Sequence, residues 1–181
     1  MRIFGIDPGS QRTGYGCIET DGSRCRLVGC GVVVSPPRVL FPDKLTCIFD
    51  ELALRLDSFR PSAVAVEGVF YARNARSALT LGQVRGVALL AAAKAGLPVA
   101  EYAATAVKSA VVGYGRADKR QVQRMVTLLL GLEEMPSPHD VSDALAIAIC
   151  HAHAGARPEI SGRPPGLGAE IRSWRRFRPP V

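Results

Sequence analysis

The chain has 181 residues, of which 48% are hydrophobic and 22% are charged, a balance that favours a soluble globular protein and excludes a largely disordered one. Its formal net charge is +7, carried by 19 arginines and four lysines, which favours a polyanionic partner, although an arginine excess is also typical of GC-rich genomes. No apolar run reaches the roughly 18 residues of a membrane-spanning helix, and the first residues lack the pattern of a secretion signal, so we predict a cytoplasmic location.

The N-terminal part contains three apolar stretches, at residues 2–7, 15–20 and 26–34, separated by Gly-rich or polar segments that are typical of turns. These stretches predict an antiparallel meander. Residues 44–59 carry apolar side chains at helical spacing, and AVAVE at 63–67 predicts a short buried strand after a proline.

The second half alternates helices with one short strand. Its alanine-rich segment 75–95 predicts a helix, 98–102 predicts a strand, and 104–112 and 119–130 predict two more helices. A last helix is expected over 139–153, after a Ser-Pro stop signal. Strands followed by alternating helices and strands indicate an α/β fold with a mixed sheet.

Residues 155–181 differ in composition from the rest of the chain. They are rich in Pro and Gly, and six arginines against two glutamates give a local charge of +4. This composition predicts a solvated, disordered basic tail and leaves residues 1–154 as one folded domain. Trp174 lies among the tail arginines and could contact DNA, but no specific role is assigned to it.

The five cysteines are odd in number and show neither C-x-x-C pairing nor zinc-ligand spacing with the three histidines. We predict that all of them are buried thiols in a reducing compartment. They are Cys17, Cys25, Cys30, Cys47 and Cys150.

Four acidic residues occur at element ends. Asp7 ends the first predicted strand, Glu67 ends the strand at 63–67, and Asp140 and Asp143 open the last helix. Three residues of separation place the two helical acids on one face, although such pairs are by themselves more often structural. Asp7 and Glu67 are harder to explain structurally, because a charge at the end of an apolar strand is desolvated unless a positive group is near.

If these four carboxylates converge, they repel one another by about 4 kcal/mol for each pair at 4 Å in an effective dielectric of ~20. Only cations or protons relieve that repulsion. Oxygen ligands without zinc-type cysteines indicate Mg²⁺ or Mn²⁺. Two such ions roughly 3.5 to 4 Å apart can hold a phosphodiester, one activating water and the other stabilising the leaving 3′ oxygen.

Five long segments stand in a characteristic order along the chain. They are IDPGSQRTGYG (6–16), VEGVFYARNARSALTLGQVRG (66–86), EYAATAVK (101–108), VVGYGRADK (111–119) and HDVSDALAIAI (139–149). These motifs resemble the RuvC family of Holliday-junction resolvases, over about residues 1–154. That resemblance implies an RNase H-like fold with a mixed five-stranded sheet flanked by helices, and a two-fold homodimer. It also implies Mg²⁺-dependent cleavage of two strands at symmetric positions in a four-way DNA junction, during homologous recombination and DNA repair, together with the RuvA and RuvB branch-migration proteins.

The resemblance assigns the metal ligands to Asp7, Glu67, Asp140 and Asp143, holding two Mg²⁺ ions that Mn²⁺ could replace. Some relatives use a histidine in the last cluster, and His139 adjoins Asp140 here. We prefer Asp140 as the ligand, since a histidine at a helix start is usually solvated.

Lys108 and Lys119 match family lysines near the scissile strand. An ammonium group is a point charge suited to phosphate and could offset negative charge in the transition state. An isolated lysine is nevertheless usually a surface residue.

Aromatic and basic side chains follow the strand that ends at Glu67 and suit opened bases and nearby phosphates. In the family, the aromatic at the position of Phe70 is thought to wedge into the junction, and we assign Phe70 that role over a core position. The predicted DNA-binding residues are Phe70, Tyr71, Arg73, Asn74 and Arg76.

Three other interpretations remain at this stage. Ser10 to Gly14 is similar to the phosphate loop of actin-like ATPases and sugar kinases, but those proteins are much longer and have a second phosphate loop, which is not found here. The chain could instead be a non-catalytic junction-binding protein on the same fold, or a YqgF-like pre-16S rRNA nuclease.

For the homodimer, the apolar helix at 75–95 is the predicted interface.

Overall fold

The computed structural model describes residues 1–68 and 74–155, and five strands and five helices lie in these two ranges. The strands are β1 (Arg2–Asp7), β2 (Arg12–Thr20), β3 (Cys25–Val34), β4 (Ala63–Gly68) and β5 (Val99–Ala103). The helices are α1 (Phe41–Phe59), α2 (Ala75–Lys94), α3 (Ala104–Val112), α4 (Lys119–Leu130) and α5 (His139–His153).

The five strands form one sheet in the order β3-β2-β1-β4-β5. The first three strands are antiparallel in sequence order, whereas β4 runs parallel to β1 and β5 runs parallel to β4. The predicted mixed five-stranded sheet is therefore confirmed. Since β1 and β4 are parallel neighbours, their carboxyl ends lie at the same edge of the sheet.

Helices cover both faces of this sheet. Alternation along β1 sends Ile3 to one side, where it packs with residues of α3, α4 and α5, and sends Phe4 to the other side, where it packs with residues of α1 and α2. Both side chains are fully buried. Because successive side chains of a strand point to opposite faces of the sheet, this one short strand contributes to two hydrophobic cores.

The last helix lies unusually close to β1 and β2 because glycines face it. A Cβ atom added at Gly5 would overlap the backbone oxygen of Ala144, and one added at Gly14 would overlap the backbone oxygen of Asp140. Gly16, which pairs with Gly5 across the two strands, also packs against this helix. The start of α5 is thereby held beside the end of β1.

Two element boundaries differ by three residues from the sequence prediction, and the others differ by one residue at most. The second strand begins at Arg12 rather than residue 15, since Arg12 and the two residues after it pair with β3. The first helix begins at Phe41 rather than residue 44, with Pro42 in its first turn, where a proline is tolerated because its missing N–H has no helical partner.

The prediction of five buried thiols was wrong for three of them. Cys17 and Cys150 are buried, but Cys25 and Cys47 are only half-buried and Cys30 is exposed. Cys25 and Cys30 belong to β3, which is at an edge of the sheet, so part of that strand faces solvent. All five thiols are free.

The predicted tail at 155–181 lies outside the described residues except for Gly155. Within the described ranges, none of the helices has both the length and the apolar character needed to cross a membrane. The division into a folded domain over 1–154 and a disordered basic tail stays a prediction.

The glycine contact with α5 predicts a large stability effect at Gly5. Gly5→Ala should lower the free energy of unfolding by roughly 1 to 3 kcal/mol or more, because the methyl group meets helix backbone that cannot rotate away. Gly68→Ala is the matched control, since its added Cβ would meet only ordinary contacts beginning at 3.6 Å. Urea unfolding measures both variants, and equal stability for the two would contradict the close approach.

Candidate active site

Two acidic side chains meet at the carboxyl edge of the parallel strands. Asp7 is the last residue of β1, Glu67 lies near the end of β4, and the preceding residues Ile6 and Val66 are register partners. The two carboxyl groups are hydrogen-bonded to each other. Two carboxyl groups can share a hydrogen bond only if one of them carries a proton.

The start of α5 brings two more carboxylates to this edge. Gly14, the register partner of Asp7 on β2, faces the backbone of Asp140. The negative charges of Asp140 and Asp143 both act on Asp7. His139 is exposed at the first position of the helix. The structure therefore places all four acids near one edge of the sheet, within electrostatic reach of Asp7, while their role as ligands stays a prediction.

A cleft of about 230 Å³ opens between β1, β4, α3, α4 and α5. Three of the four acids line it, and Asp140 lies outside its lining. Both predicted lysines also line the cleft, and the rest of its wall is apolar. The polar residues in its wall are Asp7, Glu67, Asp143, Lys108 and Lys119.

The acid pair is strongly perturbed by its surroundings. Burial raises the pKa of Asp7 to about 8, and the charges of Glu67 and Asp143 add to that rise. Burial also raises the pKa of Glu67, but the hydrogen bond from Asp7 and the nearby charges of two lysines partly lower it. Burial and mutual repulsion therefore favour one proton held by this pair of carboxyl groups.

Lys119 and Lys108 compensate the remaining negative charge. The Nζ atom of Lys119, at the start of α4, donates to Oδ2 of Asp143 at 3.1 Å, and this carboxylate is the main cause of the raised pKa of the lysine. Lys108 on α3 acts on Glu67, whose pKa its positive charge lowers. The Lys119 side chain is 69% exposed, so it can exchange its carboxylate partner for a phosphate.

The donor set fits a hard divalent cation by its chemistry, since it consists of carboxylate oxygens crowded against their own charge. In the described ranges, however, no three His, Cys, Asp or Glu side chains converge closely enough to hold an ion. One carboxylate oxygen of Asp143 is paired with Lys119, and a proton on the Asp7–Glu67 pair would compete with a cation for the same oxygens.

The predicted DNA-binding segment is described only in part. The side-chain oxygen of Asn74 accepts a hydrogen bond from the backbone N–H of Ser77 at 2.9 Å and so caps α2. Arg76 is exposed in the first turn of that helix. Three further predicted residues lie outside the described ranges, namely Phe70, Tyr71 and Arg73.

Sequence reasoning missed the residues that position Asp7 and α5. Thr13 is fully buried, and its hydroxyl donates to the backbone oxygen of Gly9 at 2.9 Å, closing the turn that follows Asp7. Gly5 and Gly14 admit α5 to the sheet. The spacing of these small residues along β1 and β2 was the available signal, because glycine in a strand often marks a close approach of backbone.

The perturbed acid predicts a pH-dependent stability difference for Asp7→Asn. The pKa of Asp7 rises from 3.8 to about 8 on folding, so its protonated carboxyl favours folding at low pH and this contribution is lost as the pH rises towards 8. Asn cannot ionise. In EDTA, the variant should therefore gain stability over the wild type between about pH 4 and 8, by a few kcal/mol at about 1.4 kcal/mol per pKa unit.

Urea unfolding across this pH range is the measurement, and Asp50→Asn, at an exposed position of α1, is the control. The control should follow the wild type at every pH. Parallel stability curves for Asp7→Asn and the wild type would mean that Asp7 is not perturbed by burial and charge.

Comparison with known proteins agrees with this geometry. The family model described as crossover junction endodeoxyribonuclease RuvC matches residues 3–151. A RuvC of Pelobacter propionicus is 50% identical and covers 99% of this chain and 100% of the relative. One of Syntrophomonas wolfei is 49% identical over 85% of this chain and 90% of the relative.

A solved structure of Thermus thermophilus RuvC in complex with Holliday junction substrate superposes with a TM-score of 0.81 and 39% identity. The match covers 85% of this chain and 94% of that one. It confirms the RNase H-like fold that the sequence predicted. The chain belongs to the RuvC family of crossover junction endodeoxyribonucleases.

Proposed function

We propose that this protein resolves four-way Holliday junctions by paired, symmetric hydrolysis of DNA phosphodiester bonds in homologous recombination and repair. The observation that carries this proposal is a cleft lined by three carboxylates and two lysines, with Asp140 close enough to act on Asp7, at the positions that the family motifs occupy. The Thermus relative that binds a Holliday junction substrate supports the same substrate here.

Asp7, Glu67, Asp140 and Asp143 are the proposed ligands of two Mg²⁺ ions, with Mn²⁺ as a possible replacement. Such ions, when bound, activate a water nucleophile and stabilise the leaving 3′ oxygen. Asp7 must release its proton before it can act as a ligand, because a protonated carboxyl offers less charge to a cation. We prefer Asp140 over His139, since Asp140 acts electrostatically on Asp7 and its backbone packs on Gly14.

Lys119 and Lys108 have proposed roles at the scissile phosphate. Both line the cleft beside the acids. Once Asp143 turns towards a cation, the ammonium of Lys119 becomes available to phosphate oxygens, where it offsets the negative charge that develops in the transition state. Lys108 approaches from α3 and supplies a second positive charge near Glu67.

The segment between β4 and α2 is the proposed contact to the junction centre. Phe70 would wedge between bases, while Tyr71, Arg73 and Arg76 would stack on bases or bind phosphates. Asn74 uses its side-chain oxygen to cap α2, so a contact from it to DNA would use its amide nitrogen. The closeness of this segment to Glu67 along the chain supports these roles.

A homodimer is proposed through α2, because two symmetric cuts need two active sites. Leu79 and Leu90 are 69% and 52% exposed on this helix. Gly82 and Gly86 are also exposed there, and a Cβ added to either would meet no atom within 4 Å. Each glycine costs the helix about 1 kcal/mol relative to alanine without any benefit inside the chain, which favours close approach of a second copy.

RuvA and RuvB are proposed partners, and the cytoplasm is the proposed location, on family resemblance. A non-catalytic junction-binding role is disfavoured because all four acids are present and the other three act electrostatically on Asp7. A YqgF-like rRNA nuclease is disfavoured by the RuvC family match over residues 3–151. Cleavage assays separate these alternatives.

Asp7→Asn should lower junction cleavage by at least about a thousandfold, equivalent to roughly 4 kcal/mol in the barrier, while junction binding is retained. The assay uses an end-labelled synthetic four-way DNA junction, a linear duplex and a structured RNA, each with Mg²⁺, Mn²⁺ or EDTA. Asp50→Asn is the control and should cut like the wild type. The wild type should make paired symmetric nicks only in the four-way DNA and none in EDTA.

Retained cleavage by Asp7→Asn would refute the proposed site. Tight binding by the wild type without nicks would support the non-catalytic alternative. Preferential cleavage of the RNA would support the rRNA nuclease.

Gly86→Arg should convert the proposed dimer to monomer at micromolar concentration, because a long charged side chain prevents close helix approach. The monomer fold should be unaffected, since arginine is a better helix former than glycine. Leu40→Arg, at a residue 74% exposed outside α2, is the control and should remain dimeric. Sedimentation measures all three proteins, and a wild type that is monomeric even with junction DNA would contradict the interface.

A further inference from the structure

The side of α4 that faces away from the core carries a row of exposed arginines. Val122, Val126 and Leu130 bury one face of this helix against the core, which leaves Arg120 and Arg124 exposed on the other side. Arg116 is also exposed, in the turn that leads into the helix. We name these three residues, Arg116, Arg120 and Arg124, the α4 arginine row.

None of the three arginines has a carboxylate partner within 4 Å in the described part of the chain, whereas Arg2, Arg26, Arg55 and Arg85 each have one. The helix itself contains no acidic residue. The nearest acid in sequence is Asp118, whose side chain caps the helix by accepting from the backbone of Gln121. Positive charge is therefore concentrated on this side of α4.

This arrangement is unfavourable for the isolated chain. Arg120 and Arg124 are four residues apart, and like charges at that spacing destabilise a helix by a few tenths of a kcal/mol, about 0.2 to 0.5. A polyanion removes that cost and gains from the release of counterions. The charge pattern alone thus favours a polyanionic ligand over solvent.

The position of the row relates it to the cleft. Lys119, the first residue of α4, lines the cleft and binds Asp143. Arg120 belongs to the same turn of the helix, and its side chain is rotated by about 100° from that of Lys119 towards the exposed side. Arg124 lies one further turn away, about 6 Å along the helix axis. That distance is close to two nucleotides of a strand at about 3.4 Å each, so consecutive turns of α4 can follow a phosphate backbone.

We infer that the α4 arginine row binds the phosphate backbone of a duplex arm as it leaves the cleft, and that this row supplies affinity without taking part in cleavage. The inference rests on the proposed action on four-way DNA. It assigns a duplex-arm contact to a surface separate from the segment between β4 and α2. Ordered phosphate contacts along one arm would also fix the direction in which the strand enters the cleft.

The test compares Arg120→Gln/Arg124→Gln with Arg24→Gln/Arg26→Gln, which removes the same charge. Arg24 lies in the β2–β3 turn and Arg26 at the start of β3. This turn is at the opposite end of the sheet from Asp7, because the β2 residue Glu19 beside it pairs with Arg2 at the start of β1, whereas Asp7 ends that strand. Glutamine keeps a good helix propensity. Binding of a synthetic four-way DNA junction is measured in EDTA across a range of salt concentrations, and cleavage is measured in Mg²⁺.

The α4 variant should bind at least about tenfold more weakly, and the slope of log K against log salt should fall by about 0.9 for each phosphate that the variant no longer neutralises. It should still cut at the wild-type positions once bound at saturation. The Arg24 and Arg26 variant should keep the wild-type slope. An unchanged slope for the α4 variant, or equal changes in both variants, would overturn the inference.

The outcome for the wild type separates this inference from the proposed function. If the wild type does not cut four-way DNA, the proposed function fails and the row loses its basis. If the wild type cuts and the α4 variant binds with an unchanged slope, only the arginine row is refuted. Circular dichroism of each variant excludes loss of folding as the cause of weaker binding.

Discussion

The close packing of α5 on β1 and β2 positions the acidic groups of this protein. Gly5 and Gly14 remove the side chains that would otherwise stand between the helix and the sheet. Asp140 and Asp143 occupy the first turn of that helix, and Asp7 ends the strand beside it. A shift of about 1 Å in such a site can lower catalysis a hundredfold, so this backbone contact determines whether the carboxylates can act together.

That packing also creates an electrostatic cost, which the surrounding residues partly offset. Burial and neighbouring charge raise the pKa of Asp7 to about 8, so the folded chain favours a proton at the position of the proposed cation. Lys119 pairs with Asp143 in the same cleft. A proton can leave, and an exposed lysine can turn to another anion, so both compensations are reversible.

The positive charge of the chain is distributed unevenly around this acidic centre. Lys108 and Lys119 line the cleft, whereas the exposed arginines of α4 lie on the side of that helix that faces away from the core. The carboxylates of the centre repel a polyanion only at short range, while the surrounding positive groups attract it to the surface. Such a pattern suits an enzyme that must bring a phosphate into contact with carboxylates, because the arms of the substrate supply the binding energy.

The sequence by itself determined much of the protein, namely the five strands, the five helices, the mixed sheet and the four acids at element ends. Hydrophobic periodicity and turn residues depend on local chain chemistry, so they could be read directly. Only the tertiary structure decided that Asp7 and Glu67 lie close enough to share a hydrogen bond, that Lys119 pairs with Asp143, that Thr13 closes the turn and that Cys30 is exposed. These features depend on distances between segments far apart in the chain, and hydrophobic pattern does not encode such distances.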